Sequence, residues 1–380
     1  MQYPGTLHAH TEYSNLRLRD SINTVPSLIA RAIELGHSCI AFTEHETIAN
    51  AIVIEEEAAK IREAHPDFKV LRGNEIYLVR NGLNQDNFNS EYDKYTHFIL
   101  LALDDIGHRQ IREISTRAWL RSYIARGMRR VPTYYQDLID VIGDNKGHIV
   151  GTTACIGGAL GTQLLRYKSS KDWELLIKIK SWCIQMKNIF GDNNFFFEMQ
   201  PAAGAEQKYV NEWILKLSDE LHIPYIITND AHYLKKEDLE IQKIFLNSQG
   251  GDREVESFYA TTYLMNDTEI HSYFNSEICD KAFANINEIV ARAQDYSLCK
   301  PLKIPEMEWR QVKDYSNEYS LWFERMPMLM QFNSSERAAD RYLVNVVIDG
   351  IYKHNDLNNV EAWNELNLCL EDTWISSNVN

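Results

Sequence analysis

Seven short apolar runs punctuate the chain up to about residue 248, and amphipathic stretches separate most of them. The runs cover 3–8, 39–43, 69–78, 96–103, 148–152, 195–199 and 224–228. The stretches include 25–35, 47–64, 172–189 and 206–221. In the first stretch Leu28, Ile29, Ala32, Ile33 and Leu35 have helical spacing. Strand–helix alternation of this kind predicts an α/β protein with a parallel sheet, closed or doubly wound. Seven units without a Gly-rich turn favour a barrel over a dinucleotide-binding fold.

Past residue 250 the pattern turns helical, with helices expected over 267–273, 277–295, 318–329, 334–352 and 360–376. The stretch 300–308 carries two Pro and reads as a linker, and the polar stretch 81–94 reads as a surface loop. A chain of 380 residues accommodates one large domain and a smaller one. We place a barrel domain at 1–265 and a helical extension at 266–380, the boundary falling within 255–275. No apolar run reaches the roughly 18 residues needed to span a bilayer, so no membrane partner is expected. The first residues lack a basic region followed by an apolar one, so no signal peptide is expected. The six Cys are scattered without a CxxC, which suits a reducing cytoplasm.

Chemistry-bearing side chains cluster at the ends of the runs. His8-Ala9-His10 follows the first and Asp230-Ala231-His232 the seventh. On a strand, residues two apart point to the same side, so each pair can aim two groups at one point. His45 ends the second run, and Cys155 follows the fifth. Glu75 lies within the third, where a carboxylate is costly unless paired or metal-bound. Counting Glu75 towards the end of the third, five of the seven runs thus carry a candidate ligand near or past their C-terminal end, the face where barrels build active sites. His97 departs from this, because it opens the fourth run. Its strand either starts earlier or runs in another direction. Asp20 precedes the helix near Thr24 and alone would read as a helix-entry residue.

Nine donors (His8, His10, Asp20, His45, Glu75, His97, Cys155, Asp230 and His232) exceed the ligand set of one ion and suit two or three. The mixture of His, carboxylate and one Cys points to Zn, Mn or Fe. One grouping puts His8, His10, Glu75 and Asp230 together. Glu75, His97 and Cys155 form a second group with Glu75 bridging, and Asp20, His45 and His232 a third. Closely spaced ions can clamp both oxygens of a phosphoryl displacement and activate water.

Five segments carry a family resemblance: His8-Ala9-His10-Thr11-Glu12-Tyr13-Ser14, Ala41-Phe42-Thr43-Glu44-His45, Gly73-Asn74-Glu75-Ile76-Tyr77, Ala154-Cys155-Ile156-Gly157-Gly158 and Thr228-Asn229-Asp230-Ala231-His232-Tyr233-Leu234. Together they resemble the PHP (polymerase and histidinol phosphatase) domain, in particular that at the N-terminus of bacterial-type DNA polymerase III alpha subunits. The resemblance covers about residues 3–270. It implies a distorted seven-stranded β/α (TIM-like) barrel with a trinuclear metal site. All nine positions that bind metal in active members hold a metal-competent residue here. That set implies an active phosphoesterase, in some alpha subunits a 3′–5′ exonuclease. Glu75, Asp20 and His232 are then the candidate catalytic residues. Two departures stand out: the family usually has Thr-Asp-His at Thr43-Glu44-His45, and three extra residues separate His10 from Asp20. Such drift fits a phage-encoded protein in a bacterial cytoplasm. The stretch 255–380 resembles the approach to the polymerase palm. No Asp-x-Asp motif in a palm-like setting is present, so polymerisation is not expected from this chain alone.

The net charge of −15 excludes a protein whose whole surface attracts nucleic acid, but not a local nucleic-acid site. Residues 109–130 contain seven Arg against a single Glu. Arg117, Arg121, Arg129 and Arg130 could guide a single DNA strand, with Trp119, Tyr123, Tyr134 and Tyr135 as stacking surfaces. The competing account is a solvated face salt-bridged to the acidic remainder. Gly157-Gly158 could meet a phosphate or make a tight turn. Three functions follow: a proofreading exonuclease acting on a DNA 3′ end beside the rest of a polymerase, a small-molecule phosphatase, or a metal-stabilised scaffold for a split polymerase.

Overall fold

The computed structural model describes residues 1–82, 95–125, 127–248, 258–301, 313–354 and 357–378. Most of the surface loop expected at 81–94 and of the linker expected at 300–308 lies outside these residues, as do Arg126 and Trp309. The chain divides into two compact units, Met1–Cys299 and Lys300–Asn380.

The first unit is a mixed α/β fold around a curled sheet. Its strands are β1 (Cys39–Phe42), β2 (Lys69–Val79), β3 (Thr96–Ala102), β4 (Tyr123–Ala125), β5 (Met128–Arg130), β6 (Pro132–Tyr134), β7 (Ile149–Thr152), β8 (Phe195–Met199) and β9 (Tyr225–Ile227). The main sheet runs β1-β2-β3-β7-β8-β9, with β6 added to the end of β2. The first apolar run forms no regular strand, yet it closes the ring. Ala41 and Thr43 donate to the carbonyls of Thr6 and Ala9 at 3.0 and 2.9 Å. On the other side His10 donates to Ala231 O at 2.9 Å, and Ala231 donates to His8 O at 3.2 Å. All seven runs therefore contribute to one curled wall.

Strand direction explains His97. Pairs β1·β2, β7·β8 and β8·β9 are parallel, but β3 runs antiparallel to both β2 and β7. The start of β3 thus lies where its neighbours end, and His97 joins the other donors. The expected parallel sheet is in fact mixed, and one reversed strand is what completes the site.

Helices cover the wall: α1 (Val25–Glu34), α2 (Ala51–Ile61), α3 (Asp105–Leu120), α4 (Tyr135–Ile142), α5 (Ala159–Ser170), α6 (Trp173–Phe190), α7 (Ala205–Leu221), α8 (Leu239–Asn247), α9 (Asp267–Tyr273) and α10 (Ser276–Arg292). Helix α1 shows the local logic. Thr24 Oγ1 accepts the Ser27 N–H at 3.2 Å, Pro26 sits in the first turn, and Val25, Leu28, Ile29 and Ala32 are buried. Phe98, Phe190 and Phe195 stack in the largest core. Helix α10 buries Cys279, Ala282, Phe283, Ile286 and Ile289, and Asn285 donates to Tyr225 O of β9 at 2.8 Å. The first compact unit therefore extends past the boundary placed at 265, because its own sheet needs α10 as a cover.

The second unit has its own core. Its helices are α11 (Ser320–Arg325), α12 (Pro327–Asn333), α13 (Ala338–Lys353) and α14 (Val360–Asn378). Pro327 divides the single helix expected over 318–329. Trp363 is fully buried, stacks on Trp322 at 5.1 Å between ring centroids, and donates to Leu357 O at 3.0 Å. Among the described residues no helix is long and apolar enough to cross a membrane.

Candidate metal centre

The nine donor side chains nominated from sequence converge at one end of the curled sheet. Eight are buried, and only the His97 side chain is partly open, at 23% exposure. His8 Nε2 and His10 Nε2 lie 3.0 Å apart, and each is 3.1 Å from Asp230 Oδ1. Glu75, His97 and Cys155 form a second group, with His97 Nδ1 2.9 Å from Glu75 Oε1 and 3.4 Å from Cys155 Sγ. Asp20 Oδ2 lies 3.0 Å from His45 Nε2 and 3.4 Å from His232 Nε2. The His10 ring stands over both His45 and His232, at 4.1 and 4.5 Å between centroids.

Glu75 sits at the middle. Its Oε1 is 3.6 Å from His8 Nε2, its Oε2 is 3.7 Å from His10 Nε2, and Oε2 also contacts His45 Nδ1. With His97, one carboxylate thus meets four imidazoles. Between His10 and Asp20 the chain makes a short 3₁₀ turn, Ser14–Leu16. Asn15 braces the loop: its Nδ2 donates to Ser21 O at 2.7 Å, and its Oδ1 accepts the Asp20 and Ser21 N–H groups. Asp20 is thereby carried to the centre.

A shell of partners, most of them unrecognised in the sequence, orients the imidazoles. His8 Nδ1 donates to Glu198 Oε1 at 2.6 Å, and Glu198 also accepts Thr228 Oγ1 at 2.6 Å and Thr152 Oγ1. His10 Nδ1 donates to Ser14 Oγ at 2.9 Å, which donates to Glu44 Oε2 at 2.5 Å. His232 Nδ1 donates to Asp230 O at 2.7 Å. In each case Nδ1 has a partner and Nε2 faces the centre, the arrangement that leaves Nε2 to bind a metal once the metal displaces any proton there. Glu198 was legible by the rule that found Glu75, since it is a lone carboxylate in the apolar strand Phe195–Met199.

Electrostatics points the same way. Asp20 Oδ1, both Glu75 carboxylate oxygens and Asp230 Oδ1 are buried and make no well-formed hydrogen bond, and the groups close to the Glu75 and Asp230 oxygens are the imidazoles of the other donors. Such acceptors are costly unless a cation meets them. Burial opposes ionisation of Asp20, but His45 and His232 hold its carboxyl well below the usual range. The same opposition, won by His97 and His45, lowers Glu75. Burial would discharge His8, yet Asp230 and Glu198 lift it to about 9. His10 is pushed down to about 3 by burial and by the His45 and His232 rings. The donor set and its orphaned oxygens fit a multi-ion site.

Three loops hold non-glycine residues in the left-handed region: Glu46 (φ 55°), Ala154 (φ 55°) and Asp230 (φ 50°). Each adjoins or is a donor, as expected where strain is retained for geometry. Gly158 makes a tight turn: its N–H donates to Cys155 O at 2.8 Å, and a Cβ there would lie 2.1 Å from Thr153 O.

The arginine-rich segment is only partly available. Arg117 pairs with Glu113 and Asp140, and Arg121 pairs with Asp137 while lying over the Tyr134 ring. These two follow the salt-bridge account. Arg129 and Arg130 lie on the β4–β5 hairpin, with Arg129 donating to Ser122 Oγ and Arg130 over the Tyr95 ring. Trp119 donates to Glu46 O at 2.7 Å, which ties the end of α3 to the loop after His45. Tyr135 accepts a hydrogen bond from Trp182 Nε1.

Three groups of side chains that could hold metal ions thus converge at one end of a curled α/β sheet. The profile described as "PHP domain" matches residues 6–202, and the chain belongs to that family. The chain is 35% identical over 399 aligned residues to "Probable DNA polymerase YorL" of Bacillus subtilis and to "DNA-directed DNA polymerase" of Bacillus phage SPbeta. Each alignment covers 98% of the chain and 30% of the relative. It is 26% identical over 303 residues to "DNA polymerase III subunit alpha" of Borreliella burgdorferi, covering 78% of the chain and 24% of that protein. The chain thus spans about a third or less of the curated relatives it matches, and is homologous to the N-terminal region of these polymerases. Asp230 and His232 lie beyond the matched family segment, and the fold joins them to it.

Proposed function

We propose that this chain is a metal-dependent phosphoesterase that removes nucleotides from the 3′ end of single-stranded DNA, as the proofreading part of a replicative polymerase. The observation that carries this reading is the contact of Glu75 with His8, His10, His45 and His97, which makes it a bridge between donor groups. Two or three ions of the Zn, Mn or Fe type held there would polarise a phosphate and activate water. His8, His10 and Asp230 would hold one ion, His97 and Cys155 a second, and Asp20, His45 and His232 a third, with Glu75 shared between them. Arg129 and Arg130 on the hairpin draw in the strand, with Arg117 and Arg121 holding its base against Glu113, Asp137 and Asp140. Homology to polymerases supports DNA and the remaining polymerase polypeptide as partners.

The test is to incubate the metal-loaded chain with a 3′-labelled single strand and, separately, with a small phosphate monoester. Strand shortening that His10→Ala abolishes is the expected result. Turnover of the monoester alone would make the protein a small-molecule phosphatase. Neither activity, with metal removal only lowering the melting temperature, would leave a scaffold.

A further inference from the structure

Arg17 ends the 3₁₀ turn Ser14–Leu16, between His10 and Asp20. Its side chain is 1% exposed. Its Nε pairs with the Glu46 carboxylate, while Nη1 and Nη2 are buried with no hydrogen-bond partner. A buried guanidinium half-satisfied in this way is costly, and removing charges from water is repaid only by full pairing. Its location explains the cost. Arg17 Cζ lies 5.3 Å from the centroid of the Tyr77 ring, and Tyr77 stacks on His97 at 4.4 Å with 9° between planes. His97 is the most open of the nine donors. Glu46 is held in its left-handed conformation by donating to Glu75 O at 2.7 Å and accepting from Trp119. The Glu46 carboxylate thus takes Nε and leaves Nη1 and Nη2 without a hydrogen-bond partner, one ring away from His97 through Tyr77.

We propose that Arg17 is a phosphate-binding residue, whose Nη1 and Nη2 take the non-bridging oxygens of a phosphodiester entering past His97. The planar pair of donors matches two phosphate oxygens, which an ammonium cannot do. This inference rests on the phosphoesterase reading above and adds a residue for substrate to it.

The experiment titrates inorganic phosphate into the manganese-loaded full chain by calorimetry, and in parallel follows cutting of a 3′-labelled oligothymidylate. R17M is expected to weaken phosphate binding by about tenfold or more, with manganese per chain unchanged, and R17K to recover part of the loss. R17M also strands Glu46, so its Tm falls. The double variant R17M/E46Q removes both charges and is expected to recover Tm but not phosphate affinity. Return of phosphate affinity together with Tm would make the role structural and overturn the proposal. Phosphate binding by R17M equal to the wild type, or no phosphate binding by either, would overturn it too. Should R17M lose phosphate while the wild type never shortens the strand, the Arg17 assignment stands and the nuclease reading fails.

Discussion

Single side chains decide what this site can hold. Glu198 touches no proposed ion, but it fixes the His8 tautomer through a 2.6 Å hydrogen bond. Glu198→Gln is expected to weaken metal binding about 10–100-fold, read by metal titration, while the sheet remains folded. Glu75→Gln removes the charge shared by four imidazoles, and strand cleavage should fall by at least about 100-fold in single-turnover assays. Away from the centre, His37 is 6% exposed and donates to Met265 O at 3.1 Å. Burial lowers its pKa to about 4. The unfolded chain therefore takes up this proton first as the pH falls. His37 supports the fold above about pH 6.5, and that support is lost on acidification towards pH 4, by up to about 3 kcal/mol. His37→Gln should make the urea midpoint less sensitive to pH between 7 and 4.5 than it is in the wild type.

Elements show what the sequence encodes locally and what it does not. All seven apolar runs join one wall, because burial of both faces writes a hydrophobic signature that needs no partner to be read. The direction of β3 left no such signature, since hydropathy is the same forwards and backwards. His97 was the one hint, a donor at the wrong end of its run. Asp20 was obscured by loop length, because its position depends on the Asn15 brace. The short strands β4–β6 fall below the length at which alternation is legible, and Arg117 and Arg121 found carboxylate partners that sequence spacing does not announce. Close approach between elements is equally silent in a hydropathy pattern. Gly107 lets α3 lie against the segment before β7, where a Cβ would stand 1.9 Å from His148 O. Gly107→Ala should cost about 1–3 kcal/mol in urea unfolding without altering metal content.

For the whole molecule, ions bound only by the folded form should stabilise it by mass action. Free metal at about 100 times its dissociation constant adds about 2.7 kcal/mol for each site. Chelation is expected to lower the thermal midpoint, and manganese or zinc to restore it, in a calorimetric scan. An unchanged midpoint would argue against occupied sites.

The ring closure made by residues 6–10 has a consequence for synthesis on the ribosome. His8 and His10 emerge long before Ala231, to which the backbone that seats them partly belongs. A nascent chain cannot close this contact until more than two hundred further residues have left the exit tunnel. Until then the early histidines lack the Ala231 backbone and the Asp230 carboxylate, and interrupted translation yields products without the assembled donor cluster. The donor cluster thus assembles late, only after most of the first unit has been made.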